Sequence, residues 1–303
     1  MVSALTDTLA WVVIAAFGTS AVLQRDHRRY GRYVAVAAWT LFAAFWGLLT
    51  PYYFFEHLSV IEGVLSAAAV PACLYTAYLV GTGKRQLETL TRSIAIMGLL
   101  FLPFETIEPA RRFAITTVAE QAEWLMAQFG YYPPVVAGDH GYVAKFVFTG
   151  ESVTGEAGHR YTTTVLMACT GIGSMSIVGG LALAVKAPLK RRMQALAVAL
   201  PVIYGLNVIR VAFIAVAHGE QWFRGGIYQT MAFALFPTND GNMVSYLFAD
   251  RMLAQSASVV ALVALTFVLL RIVPELGGVV EDVAYIATGN EYEITERFAQ
   301  QAD

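Results

Sequence analysis

The sequence predicts an all-α, polytopic transmembrane helix bundle of seven or eight spans with a short extracytoplasmic cap. Three observations carry that reading. The 303 residues are 57% apolar and only 14% charged, where a soluble domain carries about 25% charged residues. The apolar residues fall into runs of about 20, the length that crosses a hydrocarbon core as a helix. The basic residues cluster in alternate connections, the pattern of cytoplasmic loops. A formal net charge of −2 gives no reason to expect a nucleic-acid partner.

The elements follow in order. The opening MVSALTDTLAWVVIAAF has no basic segment before its apolar run and no small-residue cleavage site. It therefore reads as a permanent span over 5–24 and not as a signal peptide. Further spans are expected at 34–54, 58–80, 93–109, 163–185, 194–217 and 243–273. The last is longer than a crossing needs and is expected to tilt, kink or begin outside the hydrocarbon. The stretches 113–129 and 226–237 are too short or too polar to cross on composition. They read as interfacial or re-entrant helices and leave the count at seven or eight.

Arg25, Arg28, Arg29 and Arg32 lie between the first two spans, Lys84, Arg85 and Arg92 between the third and fourth, and Lys186, Lys190, Arg191 and Arg192 between the fifth and sixth. These three loops alternate, so all are expected in the cytoplasm together. Arg111 and Arg112 run against that rule; they either anchor 113–129 at the headgroups or bind an anion. Residues 110–162 form the one sizeable extramembrane segment. Its YYPPVVAGDHGY is punctuated by Pro and Gly, and the alternation in YVAKFVF suits a short strand or a loop cap. Residues 1–275 are read as one membrane domain. Residues 276–303, with Glu281, Asp282, Glu291, Glu293 and Glu296, are read as an acidic cytoplasmic tail, either a solvated helix or a disordered segment.

Three residues do not belong in such a bundle on packing grounds. Cys169 stands in TTTVLMACTGIGSM, Arg210 in LNVIRVAFIAV and Arg251 in NMVSYLFADRML. An arginine in a span costs roughly 2.5–3.5 kcal/mol on insertion scales. Counted from the expected span ends, all three fall roughly 9–12 Å below the outer edge. A thiol beside two guanidinium groups is expected to be pushed toward thiolate, the nucleophilic form. Glu62, Glu105, Glu108 and Asp250 share that outer layer as candidate counter-charges. The competing explanation is internal ion pairs that hold the bundle together.

The small residues after Cys169 allow close approach of a substrate or, equally, of a neighbouring helix. Asn207, three residues before Arg210, shares its helix face and is a candidate to orient it or to bind substrate backbone. Arginine stays protonated, so another group must handle the leaving group's proton. His218 is a candidate, and with Asn242 it would imitate a Cys-His-Asn arrangement; a helix cap is the alternative. His57, His140 and His159 lack ligand spacing, so neither a metal nor a cofactor is expected. Cys73, within AAAVPACLYTAY, reads as a small packing residue.

The motif ACTGIGS with Cys169, the NxxR pattern of Asn207–Arg210, and Arg251 about 40 positions later resemble the exosortase/archaeosortase family of multi-pass membrane transpeptidases. The likeness runs from about 160 to 255. Arginine in the third place matches the archaeosortase A branch, where bacterial members carry histidine. The resemblance implies a sortase-like cysteine peptidase. It would act on the extracytoplasmic side of the cell membrane on secreted surface proteins that end in a Pro-Gly-Phe motif, an apolar helix and a basic tail. Cys169 would form a thioester with the substrate, and a membrane lipid would resolve it. Arg210 would stabilise the oxyanion or thiolate, and Arg251 would take the role histidine holds elsewhere.

Three rivals remain at this stage: an intramembrane cysteine protease with water as acceptor, an anion transporter using Arg210 and Arg251, and a scaffold. Transporters often carry inverted repeats and sites at the midplane. No internal repeat is evident here, and the charged layer lies near one face.

Overall fold

The computed structural model describes residues 4–56, 60–83, 87–236, 238–293 and 295. His57, Lys84, Arg85 and Glu296, used above, lie outside the described residues. The helices are α1 (Ala4–Asp26), α2 (Arg28–Pro51), α3 (Val60–Thr82), α4 (Glu88–Thr106), α5 (Glu108–Gln128), α6 (Ile172–Ala184), α7 (Leu189–Gly219), α8 (Gly226–Leu235), α9 (Val244–Leu247), α10 (Gln255–Ile272) and α11 (Gly277–Thr288). Between α5 and α6 lie β1 (Val135–Ala137), β2 (Val143–Glu151) and β3 (Ala157–Thr164). The chain divides into two units. One comprises Met1–Thr106, Ser176–Val198 and Val268–Asp303, the other Ile107–Met175 and Ala199–Phe267.

Five helical segments are long and apolar enough to cross a membrane: Thr6–Gln24, Arg28–Phe55, Glu62–Thr82, Leu189–Gly219 and Gly241–Ile272. α4 and α5 pass the same test only as a pair, which would make six. The expected seven or eight spans thus become five or six. Five of the expected spans have a counterpart here, and the span expected at 163–185 does not. β3 runs to Thr164, a 3₁₀ turn follows at Met167–Thr170, and α6 has only 13 residues, about 20 Å of helix. The reason is local. Thr162 and Thr164 are engaged in pairing with β2, and Gly171 takes φ +76, a left-handed conformation that stops a helix running through it.

In the first unit, α1 packs on α2 and α4, and α2 on α3. Phe17, Trp39, Ala43, Cys73, Ala77 and Ile94 form its core. The Trp39 indole N–H donates to Thr91 Oγ1 at 3.2 Å, tying α2 to α4. α11 lays Tyr285 and Ile286 against Ala35, Leu79 and Leu87. The acidic residues Glu281 and Asp282 therefore belong to a helix with one packed side.

In the second unit the all-helical expectation fails over 135–164. The three strands form an antiparallel sheet in the order β1-β2-β3. The alternation read in YVAKFVF is β2, and its Ala144, Phe146 and Phe148 are buried with Tyr161 of β3. They pack against Ile115, Val118, Ala122 and Met126 of α5 and Val208, Val211, Ala215 and Val216 of α7. That core fixes where β3 ends, and so where the turn bearing Cys169 begins. His140 closes the β1–β2 turn. Its Nδ1 accepts the Tyr142 amide at 3.1 Å, which leaves Nε2 to donate to the Val165 carbonyl at 3.1 Å.

Candidate active site

All of the site belongs to the second unit. Cys169 sits in the 3₁₀ turn Met167–Thr170, its amide donating to the Leu166 carbonyl at 2.9 Å. The half-buried thiol is packed at the edge of the sheet–helix core. Gly171 ends the turn. A Cβ there would stand 2.5 Å from Asn207 Nδ2, so the turn lies directly on the Asn207 side chain. Both the positive φ and this approach exclude any larger residue. Asn207 donates to the Ile203 carbonyl at 2.8 Å on its own helix, and one turn further along α7 comes Arg210.

Asp250 and Arg251 lie in a π-helical turn, Phe248–Ala254, set between α9 and α10. Such turns widen the helix by one residue and are frequent at functional sites. Arg210 Nη2 meets Asp250 Oδ1 at 2.8 Å, and Arg251 Nε lies 3.5 Å from Asp250 Oδ2. The carboxylate thus joins the two arginines predicted from sequence. The Asp250 side chain is 11% exposed and that of Arg210 29%. Two cations against one anion leave a net positive charge beside the thiol.

All three charges reach Cys169. Burial pushes the thiol above its ordinary range; Arg210 and Arg251 pull it down, and Asp250 pushes it up. The net direction is upward. The two guanidinium groups thus pull toward the thiolate, as expected, but burial outweighs them.

His218 ends α7 and is 4% exposed. Its ring lies edge-on between Tyr161 and Tyr246, each 5.4 Å away. Nδ1 faces Gln221 Nε2 at 3.4 Å. Asn242 does not orient it. The Asn242 Oδ1 accepts the Val153 amide at 2.8 Å and the Tyr161 hydroxyl at 3.2 Å. The Cys-His-Asn arrangement entertained above is not formed. Tyr246, absent from the sequence reading, neighbours Asp250, Cys169, Arg251 and the His218 ring. Its spacing of four residues before Asp250 was the available signal. Glu62 lies on α3 in the first unit and contributes to none of these contacts. Glu108 opens α5 in the second unit. Among the described residues no group of His, Cys, Asp and Glu could hold a metal.

A cavity of ≈ 420 Å³ adjoins the group. Ala168, Ser174, Asn207 and Arg210 line it, and Ala254, Ala257, Ser258 and Ala261 of the Gly241–Ile272 segment form a small-residue wall. A site with one polar, cationic end and a long apolar wall suits a chain that is polar at one point and apolar beyond it.

A sequence model described as transmembrane exosortase matches residues 3–238. The chain belongs to the exosortase family. Two curated relatives carry the name archaeosortase A. The protein of Haloferax volcanii is 43% identical over 300 residues, covering 96% of this chain and 96% of the relative. That of Natronomonas pharaonis is 41% identical over 285 residues, covering 93% and 89%. No solved structure matches the chain. Within this exosortase chain, Cys169 and Arg210 fall inside the region matched by the family model, while Asp250 and Arg251 fall beyond it. With five or six candidate spans, the protein is a multi-pass membrane protein.

Proposed function

We propose that this chain is a membrane cysteine transpeptidase that sorts secreted surface proteins. It cleaves a C-terminal Pro-Gly-Phe-type signal through a thioester on Cys169 and transfers the protein to a membrane lipid. The observation that carries the reading is the Cys169 turn seated on Asn207, with Arg210, Asp250 and Arg251 acting together on its thiol. It stands in a chain whose relatives are named archaeosortase A.

The steps follow from that geometry. Cys169 Sγ attacks the scissile carbonyl as its proton leaves, and the oxyanion forms beside Arg210 and Arg251. The carbon–nitrogen bond then breaks, and the amine departs with the proton together with the substrate's C-terminal helix. A nucleophile on a membrane lipid attacks the thioester, the carbon–sulfur bond breaks and the thiol is restored. Because burial holds the Cys169 pKa up, deprotonation accompanies substrate arrival. Tyr246, beside both Cys169 and Asp250, stands where that proton would pass. Asp250 ties Arg210 at 2.8 Å and Arg251 at 3.5 Å to one carboxylate, which keeps both cations beside the thiol.

The test is mass spectrometry of a substrate's C-terminus from membranes carrying wild-type protein or Cys169→Ala. A shortened, lipid-bearing C-terminus in wild type alone is expected. A shortened C-terminus without lipid would replace the reading by hydrolysis with water as acceptor. Processing that persists in Cys169→Ala would remove the nucleophile.

A further inference from the structure

The first unit contains a second cavity, ≈ 350 Å³, that the chemistry above does not use. Gln24, Arg28, Arg29 and Arg32 line it where α1 passes into α2; Gly83 closes it at the end of α3, and Thr91 lies in the first turns of α4. Three arginines line it against one acid, Glu88. Arg29 and Arg32 both interact with the Tyr33 hydroxyl. Among the described residues, no carboxylate forms an ion pair with any of these three arginines. Arg32 Nε is buried without a hydrogen-bond partner. Gly83 has φ +70, and a Cβ on it would stand 3.1 Å from Arg32 Nη1. The absence of a side chain there gives the Arg32 head its room.

The start of α2 reinforces the same sign of charge. Bonding within α2 begins with the Gly31 amide to the His27 carbonyl, and no side chain caps the helix. The amides of Arg28, Arg29 and Tyr30 therefore have no partner within the helix. Helix N-termini and arginine forks are the two protein devices best suited to a tetrahedral oxyanion. Val80 and Leu87 supply an apolar flank. The candidate spans Thr6–Gln24, Arg28–Phe55 and Glu62–Thr82 all have an end here, the level at which a bilayer presents its headgroups.

We infer that this cavity is a phosphate-binding site, and that in the membrane it holds the headgroup phosphate of an anionic phospholipid. The inference is independent of the chemistry at Cys169. Basic residues next to spans attract anionic lipid in general; three arginines converging on one cavity with a single acid make the attraction a site.

The experiment uses the full chain, delipidated in a neutral detergent. Retention of phosphatidylglycerol and of phosphatidylcholine is measured by native mass spectrometry, together with the thermal midpoint. Arg28 and Arg29 are exposed, so the double variant Arg28→Gln/Arg29→Gln does not put the fold at risk; Arg32→Gln is the second variant. Wild type is expected to retain phosphatidylglycerol over phosphatidylcholine, and the double variant to lose at least about tenfold of that retention, which two charge-assisted contacts would supply. Inorganic phosphate that displaces the lipid and itself raises the midpoint in wild type alone would keep the site and make free phosphate a second source. Failure of phosphate to displace it would assign the headgroup with its chains. Equal retention of both lipids by wild type, or undiminished retention by both variants, would overturn the proposal.

Discussion

In the first unit, Phe17 meets Trp39 and Phe42 edge-on at 5.2 and 5.8 Å, and aliphatic side chains from α1 to α4 fill the space around them. Among the described residues, every buried polar side chain there is a serine or threonine. Ser66, Thr76 and Ser93 bond a carbonyl one turn back on their own helix, at Gly63, Ala72 and Thr89, while Ser20 donates to the Gly31 carbonyl of α2 and Thr91 accepts the Trp39 indole N–H. The second unit buries His218, Gln221 and Asp250 as well. Their partners come from other elements: Asp250 from α7, His218 from β3 and from α9. A hydroxyl in an apolar core can satisfy itself locally. A carboxylate or guanidinium cannot, and must recruit a second helix or strand. The polar groups of the second unit therefore mark a built arrangement, whereas those of the first are compatible with plain packing.

The two cysteines sharpen this contrast most. Cys73 is buried among the apolar residues of α1, α2 and α4, whereas Cys169 sits beside three charges. Cys169→Ala is expected to abolish processing of a surface-protein substrate. Cys73→Ala should leave it unchanged, as scored by the substrate's C-terminal mass. Equal loss in both variants would erase the distinction between the units.

Arg210→Ala should come next. It leaves Asp250 with Arg251 alone at 3.5 Å. Removing one partner of a buried pair costs about 3–5 kcal/mol, and the remaining Arg251 puts the effect at the low end, to be read as a lower thermal midpoint in detergent, with loss of processing. Arg210→Lys keeps the charge but not the planar fork, and should recover most of the midpoint but little of the processing.

Gly171→Ala tests the seat of the turn on Asn207. A left-handed conformation costs a non-glycine residue about 1–2 kcal/mol, and the clash with Asn207 adds to it. Processing should fall more than the thermal midpoint does. Gly205, inside α7 with open space around it, is the control, and Gly205→Ala should leave processing unchanged and hold or raise the midpoint.

The smallest effect is on thiol reactivity. Below its pKa the Cys169 group is a neutral thiol, and burial holds that pKa up. Alkylation by iodoacetamide should be slow near neutral pH and should rise with pH beyond the range of an ordinary cysteine. Asp250→Asn removes a charge that raises the pKa and leaves two that lower it. Alkylation at neutral pH should then quicken, about tenfold for each unit the pKa falls. Arg210→Ala should slow it. A pH profile unmoved by either variant would break the claim that these charges act on the thiol.

The apolar runs, the three residues out of place in them and the order of their motifs were legible along the chain, because each depends on composition and local spacing. α1, α2, α3, α7 and the long Gly241–Ile272 segment follow from length and hydropathy alone. The resemblance carried by ACTGIGS, Asn207–Arg210 and Arg251 pointed to the family to which the chain belongs. The strand pairing over 135–164, which turns the expected fifth span into β3, a turn and a short helix, depended on residues distant in sequence: Phe146 and Tyr161 are buried only because α5 and α7 cover them. The choice of Asp250 among four candidate acids, the exclusion of Asn242 from His218, the place of Tyr246 and the sign of the Cys169 shift were likewise tertiary decisions. A charge in an apolar medium acts over whatever lies within a few ångströms, and sequence spacing does not say what that is. The sequence by itself determined that a thiol and two guanidinium groups were present in an apolar chain; the packing of the sheet on α5 and α7, and the π-helical turn, decided that a single carboxylate joins those cations next to a half-buried thiol.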